Sequence, residues 1–458
     1  MRQTAYDVLR AVDQRDAYVN LLLPALLRDA ALSGRDAAFA TELVHGAIRL
    51  QGTYDVIIDE LVTRRMQPGV RDALRLGCHQ LLSMRVPGHA AVSTSVDLVR
   101  RNTGEPPARM VNAVLRRVSG RSLAEWVELL APSRDEDRAG HLAIAYSHPR
   151  WIVAALADAV AHDRASQRVW DEVEALLAAD NHPARVTLAA IPGRASVAEL
   201  VEAGAAPGKW SEHAATLGSG DPAAVPAVRE GRARVQDEGS QLVARAVADA
   251  ELDGPDRWWL DMCAGPGGKA ALLAGLADRR GARLLAADRQ GSRARLVKGA
   301  LSEAPAGRAE IAHQTGVAGV VVADGTTPPW ASAAFDRVLV DAPCSGLGAL
   351  RRRPEARWRR TPEDVTALVR LQRALLHAAL DSCREGGVVG YVTCTPHVSE
   401  TREVVDGVLE ARSDALEEDA RPLLSLVPDT GHGPHVQLWP HRHGTDAMFL
   451  ALLRRTGR

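Results

Sequence analysis

Two cysteines fifty positions apart are the residues of this sequence best suited to covalent chemistry. Cys344 lies in the segment DAPCSG at 341–346, and Cys394 lies in TCTP at 393–396. A thiolate can add to carbon 6 of a cytosine, and carbon 5 of that base then becomes nucleophilic. A Pro-Cys and a Thr-Cys that follow successive predicted strands therefore indicate chemistry at carbon 5 of a pyrimidine. The residues alone leave open which thiol attacks the base.

A glycine-rich turn that precedes both cysteines could hold a nucleoside-bearing cofactor. It covers residues 261–269, DMCAGPGGK, between a predicted strand and a predicted helix over 270–277. Glycine lets the backbone pass close to a ligand, and a helix N-terminus offers free N–H groups. Asp288, at the end of the next predicted strand, can accept both hydroxyls of a ribose. A dinucleotide site or a plain helix cap is the alternative.

Lysine is rare in this chain, whose lysines are Lys209, Lys269 and Lys298. The position of Lys269 beside the cofactor turn indicates a role for a compact ammonium that a planar guanidinium would not fill. Chance placement is the alternative interpretation.

An arginine-rich segment directly follows Cys344 and is the best candidate for a nucleic-acid contact. The arginines assigned to this contact are Arg351, Arg352, Arg353 and Arg357. Trp358 could stack on a base or anchor the loop, and a solvated charged loop is the alternative for the whole segment. The net charge of −1 does not oppose the contact, because the local distribution of charge decides phosphate binding.

The elements that must position these residues form an alternating pattern. From about residue 235 to the C-terminus, strand and helix patterns alternate, which predicts a doubly wound parallel sheet. Four apolar runs end on or just before an aspartate, namely Asp261, Asp288, Asp324 and Asp341. Ligands collect at the carboxyl ends of the strands in such a sheet. A further predicted strand over 388–393 would deliver Cys394 to the same rim as Cys344 and Asp341.

The remaining sequence predicts two further regions. Apolar residues recur at helical spacing from about residue 4 to 118, which predicts an all-helical bundle. Two predicted helices and a strand led by Arg185 follow, and they predict a small α+β module. We therefore expect an all-helical domain over 1–135, an α+β module over 145–232 and an α/β domain over 235–458.

Composition narrows the class of protein. The 458 residues are 46% hydrophobic, which suffices for two or three domains with real cores. The cysteines at 78, 263, 344, 383 and 394 form no short-spaced pairs, so we expect reduced thiols and neither disulfides nor a zinc site. Cys78 and Cys383 lie in helical patterns and are interpreted as core residues. The histidines near the C-terminus are irregularly spaced, so no metal site is expected. The apolar run at 21–27 is too short to span a bilayer, and a cytoplasmic protein is expected.

Together these motifs resemble those of the RNA 5-methylcytosine methyltransferases. The resemblance is carried by 261–269, Asp288, Asp324, 341–346, 393–394 and the closing segment 439–446. The N-terminal third is similar to NusB-like RNA-binding domains through FATELVHG at 39–46 and VNAVLRR at 111–117. The combination resembles the RsmB, or Sun, family, which acts on 16S ribosomal RNA.

The resemblance implies a Rossmann-like methyltransferase domain that binds S-adenosylmethionine. It also implies that Cys394 is the nucleophile, that Cys344 assists product release, and that Asp341 holds the pyrimidine edge with Lys269 nearby. The cofactor-binding residues that it implies are Cys263, Ala264, Gly265, Pro266, Gly267, Gly268, Lys269, Asp288, Asp324 and Asp341. The sequence departs from the family pattern at Gly265, Ala270 and 395–397.

The implied activity is methylation of carbon 5 of a cytosine in 16S ribosomal RNA, of the cytosine-967 type, through a covalent adduct at carbon 6. We expect a monomer without membrane contact. One alternative is a transfer-RNA cytosine-5 methyltransferase, which usually lacks a NusB-like bundle. Another is a non-catalytic NusB-like RNA-binding or assembly factor, against which the intact Cys344, Cys394, Asp341 and Lys269 count.

Overall fold

In a computed structural model, which describes residues 1–15, 17–163, 168–302 and 316–457, the N-terminal part of the chain is helical, as predicted. Fully buried Leu43, Ile57, Leu74 and Trp126 lie in its core. The helices are α1 (Arg2–Arg15), α2 (Val19–Asp29), α3 (Gly34–Arg49), α4 (Gln51–Leu61), α5 (Pro68–Leu82), α6 (Gly88–Thr103), α7 (Glu105–Val118), α8 (Leu123–Leu130), α9 (Arg138–Ala145), α10 (Arg150–Asp163) and α11 (Val169–Asp180). Pro68 and a capping box at Ser122 favour helix starts at α5 and α8.

A small antiparallel sheet follows, and its first strand confirms the strand predicted after Arg185. The strands lie in the order β2-β3-β1-β4, and Leu188, Leu200 and Ala215 are buried in its own small core. The elements are β1 (Val186–Ala190), α12 (Val197–Glu202), β2 (Ala205–Pro207), β3 (Ala214–Leu217), α13 (Pro226–Arg229) and β4 (Ala233–Val235).

The predicted doubly wound sheet follows the small sheet. Its strands lie in the order β10-β12-β9-β8-β5-β6-β7, with β11 paired to β12. The pairs among β5 to β9 are parallel, and β12 is antiparallel to its neighbours. The elements are α14 (Glu238–Asp249), β5 (Trp258–Asp261), α15 (Gly268–Arg279), β6 (Arg283–Asp288), α16 (Gly291–Leu301), β7 (Val317–Val322), β8 (Phe335–Asp341), α17 (Ala356–Arg359), α18 (Pro362–Ser382), β9 (Cys383–Thr393), α19 (Arg402–Glu410), β10 (Ala415–Glu418), β11 (Val436–Gln437), α20 (Pro440–His443) and β12 (Phe449–Arg455).

The strand ends match the predicted acidic rim closely. β5, β6 and β8 end on Asp261, Asp288 and Asp341, while Asp324 lies two residues beyond β7. One prediction was wrong: Cys383 is the first residue of β9 and not part of a helix. The apolar run of α18 ends at Ser382, and the backbone turns to extended geometry at Cys383.

The chain divides into two compact units. The first comprises Met1–Ala157, Trp170–Pro183 and Leu350–Arg359, and the second comprises Asp158–Val169, Ala184–Ala349 and Arg360–Arg458. The division does not show which segments fold alone, so the predicted domain borders stay a prediction. Among the helices of the described residues, none is long and apolar enough to cross a membrane.

Candidate active site

Adjacent parallel strands bring the reactive residues to one rim of the large sheet. In the register of β5 with β8, Asp261 lies opposite Leu339, and in that of β8 with β9, Asp341 lies opposite Val392. Cys394 lies two residues beyond Val392, and Cys344 lies three residues beyond Asp341. The strand order reverses between β5 and β8, because the chain runs outward from β5 to β6 and β7 before it returns to β8. A ligand is expected at such a switch point.

The two thiols contact each other directly. The Sγ atoms of Cys344 and Cys394 lie 3.4 Å apart, within hydrogen-bonding distance for sulfur. This hydrogen bond and burial raise the pKa of the Cys344 thiol well above its ordinary value. The amide of Gly348 donates to the carbonyl of Cys394 over 2.9 Å and ties the two cysteine-bearing loops together. A pair of thiols in this arrangement can hold one proton between two sulfurs.

An ion pair lies on the same rim. The Lys269 ammonium donates to Asp341 Oδ2 over 2.9 Å. Burial acts to lower the pKa of Lys269, but the Asp341 carboxylate, together with Cys394 and Asp261, more than offsets it, and the pKa lies above its ordinary value. The Cys394 sulfur also favours the charged form of Lys269. The site therefore holds an ion pair whose ammonium interacts electrostatically with Cys394.

Asp261 is a buried carboxylate that the sequence analysis left out of the site. It is 0% exposed, and neither carboxylate oxygen accepts a hydrogen bond of ordinary geometry from a described residue. Burial, with the negative charge of Asp341 added, raises the pKa of Asp261 to about 8. In the sequence, only its place at the end of a predicted strand indicated that Asp261 could belong to the site.

The glycine turn is shaped around Asp288. Asp288 Oδ2 accepts from the Gly265 amide over 3.0 Å, and Oδ1 accepts from the Gln290 amide over 2.8 Å. A Cβ at position 265 would lie 2.3 Å from Asp288 Oδ2, so glycine permits this approach. Gly267 has φ +109°, and a Cβ there would lie 2.5 Å from the Ala300 Cβ. The turn thus requires glycine at both positions in this conformation.

Two further polar residues belong to this region: Gln236 lies beside the glycine turn, and Asp324 lies beyond the end of β7. Gln236 is buried near Gly268, and its side-chain oxygen and nitrogen have no hydrogen-bond partner within the described ranges. Asp324 Oδ1 accepts from the amide and the hydroxyl of Thr326, and these hydrogen bonds lower the pKa of Asp324. Arg289 lies 3.4 Å from the other oxygen of Asp324. Sequence reasoning found Asp324 but gave Gln236 no role.

The arginine-rich segment is divided by burial, and one prediction is corrected. Arg357 is 0% exposed, and its guanidinium donates to the carbonyls of Arg49 and Ser147, to Asp180 O and to Asn181 Oδ1. An arginine enclosed in this way is not accessible to RNA. Burial lowers the pKa of Arg357 to about 9. The sequence could not reveal this, because the acceptors lie some 180 to 310 residues away.

Trp358 and Arg353 continue the same segment. Trp358 packs into the helical core and donates from Nε1 to the Ile48 carbonyl over 3.1 Å, so it anchors the segment. A Cβ at Gly52 would lie 2.3 Å from the Trp358 ring, so helix α4 approaches this ring closely. Arg353 is exposed. RNA contact by Arg351, Arg352 and Arg353 stays a prediction.

Comparison with known families gives two matches. The 16S rRNA methyltransferase RsmB/F family matches residues 252–454, and the NusB family matches residues 1–120. A protein of Mycobacterium tuberculosis that is described only as a methyltransferase is 49% identical over 99% of this chain and 96% of its own length. Ribosomal RNA small subunit methyltransferase B of Pseudomonas putida is 31% identical over 99% of this chain and 98% of its own length.

Solved structures show the same fold at low sequence identity. The crystal structure of PH0851 has a TM-score of 0.77 and 20% identity, and the alignment covers 99% of this chain and 98% of that chain. NSun6 from Pyrococcus horikoshii, determined with SFG, has a TM-score of 0.52 and 18% identity over 66% of this chain and 98% of that chain. A helical region followed by a mixed α/β sheet is therefore a fold that this chain shares with a solved structure.

Proposed function

The chain belongs to the RsmB/F family of 16S ribosomal RNA methyltransferases, and we propose that it methylates carbon 5 of a cytosine in 16S ribosomal RNA. It is an RNA cytosine-5 methyltransferase that depends on S-adenosylmethionine. The full-length similarity to the P. putida methyltransferase B supports the small-subunit RNA as substrate. By the same resemblance we propose a target of the cytosine-967 type.

The residues of the rim fit this cofactor. Asp261 and Gln236 carry buried polar atoms that have no hydrogen-bond partner among the described residues, and such atoms suit a polar, cationic ligand. The glycine turn leaves room for contacts between the ligand and the backbone. We propose that residues 263–269 bind S-adenosylmethionine, that Asp288 accepts from its ribose, and that Asp324 lies near its adenine. When bound, the cofactor supplies an electrophilic methyl group.

The residues of the chain then have the following proposed roles. Cys394 attacks carbon 6 of the cytosine as a thiolate, which the Lys269 ammonium favours. Asp341 holds the pyrimidine edge and favours protonation at ring nitrogen 3. After methylation, the Cys344 thiol gives its proton to the departing Cys394 sulfur while its own sulfur takes the proton from carbon 5. The electrons of that C–H bond re-form the carbon 5–carbon 6 double bond, and the electron pair of the bond from carbon 6 to sulfur returns to Cys394. Cys344 assists this release.

The observation that carries the proposal is the 3.4 Å contact between two thiols beside the Lys269–Asp341 ion pair. One thiol suffices for attack on a pyrimidine. A second thiol in contact with the first has a use when the covalent adduct must be resolved. Cys78 gives the contrast: it is buried, and among the described residues neither a second sulfur nor a lysine acts on its thiol.

The two cysteines make the first testable prediction. Cys394→Ala should abolish methyl transfer from labelled S-adenosylmethionine to ribosomal RNA, because the nucleophile is lost. Cys344→Ala should leave a protein–RNA adduct that survives denaturing electrophoresis, because release is impaired. Cys78→Ala is the matched control and should behave like the unaltered protein.

The roles of the cysteines would be wrong if Cys394→Ala stayed active or if Cys344→Ala turned over normally. Bisulfite sequencing of RNA from a strain that lacks the protein should show one lost 5-methylcytosine in 16S ribosomal RNA. A mark lost from transfer RNA instead would select the alternative substrate.

A further inference from the structure

Glu400 is a buried carboxylate near the reactive cysteines that has no role so far. It is 0% exposed, and its Oε1 accepts from the Ser345 amide over 2.7 Å. Its Oε2 accepts a hydrogen bond from the Ser345 hydroxyl. Ser345 directly follows Cys344. The carboxylate therefore holds the loop of Cys344 through both polar groups of the next residue.

The same carboxylate is connected to the loop of Cys394. The Ser345 hydroxyl lies 3.0 Å from the hydroxyl of Thr395, which directly follows Cys394. Tyr391, three residues before Cys394 on β9, donates from its hydroxyl to the Glu400 carbonyl over 2.7 Å. The two cysteine-bearing loops are thus linked through the residues that directly follow each cysteine.

Helix α18 links Glu400 to the loop of Cys344. Gln372, in the middle of α18, donates from Nε2 to Glu400 Oε1 over 3.0 Å and to the Pro343 carbonyl over 2.8 Å. Pro343 is the residue before Cys344. Gln372 and Glu400 are both fully buried, so this network lies out of water, where hydrogen bonds to a charged carboxylate are strong.

The charges around the two thiols differ in sign. Cys344 contacts the Cys394 sulfur, and the negative charge of Glu400 acts with that contact and with burial to raise the pKa of the Cys344 thiol. Cys394 contacts the Cys344 sulfur and interacts electrostatically with the Lys269 ammonium. A negative neighbour favours the neutral thiol, and a positive neighbour favours the thiolate. The surroundings thus favour a proton on Cys344.

We propose that Glu400 is a positioning residue that fixes Cys344 against Cys394 and holds the shared proton on Cys344. The inference rests on the proposed function, because it explains how the two thiols take unequal roles. A thiol held in this position donates a hydrogen bond to the Cys394 sulfur as the bond from that sulfur to carbon 6 breaks. The electron pair of that bond returns to the sulfur of Cys394.

Glu400→Gln tests this, because it keeps the shape of the side chain and removes its charge. We expect turnover to fall about tenfold or more, as a misplaced catalytic group does, while KM for RNA and for S-adenosylmethionine stays within about twofold. A denaturation-resistant protein–RNA adduct should accumulate, as for Cys344→Ala. Iodoacetamide followed by peptide mass mapping should label Cys344 more strongly than in the unaltered protein.

Asp336→Asn is the matched control. Asp336 is also a buried carboxylate that accepts two backbone amides, from Arg257 and Trp258, but it lies at the opposite end of β8 from Asp341. It should lower thermal stability without adduct accumulation. If Glu400→Gln does not fold, Gln372→Met removes one bridge of the network and should give the same adduct.

The inference is overturned if the Glu400 variant turns over normally. It is also overturned if that variant only loses thermal stability, as the Asp336 variant does, without an adduct or a change in labelling. Failure of the proposed function is a separate result. In that case the unaltered protein itself would methylate no cytosine in ribosomal RNA.

Discussion

Asp261 has the least favourable surroundings among the charged residues of the rim. Full burial, with the negative charge of Asp341 added, disfavours its ionised form, and its pKa lies at about 8 instead of its ordinary 3.8. The folded chain therefore binds a proton that the unfolded chain releases near pH 4. Stability from this group is fully present below the unfolded pKa and is lost as pH rises through about 8.

Asp261→Asn should therefore raise the melting temperature of the cofactor-free protein at pH 9, by an amount on the order of several degrees, and change it little at pH 5. Differential scanning fluorimetry across that range measures the effect. Asp324→Asn is the control on the same rim. Its folded pKa is lowered, so its loss should reduce stability slightly at both pH values. A gain for Asp261→Asn that does not depend on pH would contradict the assignment.

The residues of the site differ in how far the sequence reveals them. Cys344, Cys394, Lys269 and Asp341 belong to short motifs whose spacing along the chain already indicates chemistry. Glu400 gives no such signal, because its partners come from three separate segments and its function arises from their contact. Asp261 was visible at a strand end, but its complete burial depends on packing.

At the scale of elements, the parallel order of β5, β8 and β9 decides where chemistry can occur. Alternating strand and helix patterns predicted this sheet, since a buried parallel strand reads as an apolar run that ends in polar residues. The start of β9 was missed, because the apolar pattern of α18 runs directly into it at Cys383. The turn from β5 into α15 is the element in which backbone conformation matters most.

Gly267→Ala should weaken cofactor binding. At φ +109° an alanine is strained by roughly 1–3 kcal/mol, and its Cβ would lie 2.5 Å from the Ala300 Cβ, so the turn must shift. Isothermal titration calorimetry should show a Kd for S-adenosylmethionine at least tenfold higher. Gly299→Ala, beside Ala300 on α16, has nothing within 4 Å of the added Cβ and should leave Kd unchanged. Unchanged binding in Gly267→Ala would argue against this turn as the cofactor site.

At the scale of the whole molecule, local and not total charge decides how the protein can meet RNA. The net charge is −1, and sequence spacing alone grouped four arginines into one contact. Burial separates them: Arg357 satisfies four oxygen acceptors inside the first unit, whereas Arg353 is exposed on the same segment. Distant acceptors make such a division invisible to motif reasoning.

Paired substitutions in this segment should separate stability from RNA binding. Arg357→Ala leaves buried acceptors unsatisfied and should cost about 3–5 kcal/mol, seen as faster hydrogen exchange in the helices of the first unit. Arg353→Ala should stay within about 0.5 kcal/mol in stability yet weaken RNA binding. Its plot of log Kd against log salt concentration should lose a slope of about 1, because one phosphate contact disappears. If Arg353→Ala binds RNA with unchanged affinity and slope, Arg353 is not part of the RNA contact. If Arg357→Ala is fully stable but loses RNA affinity, Arg357 contacts RNA after all.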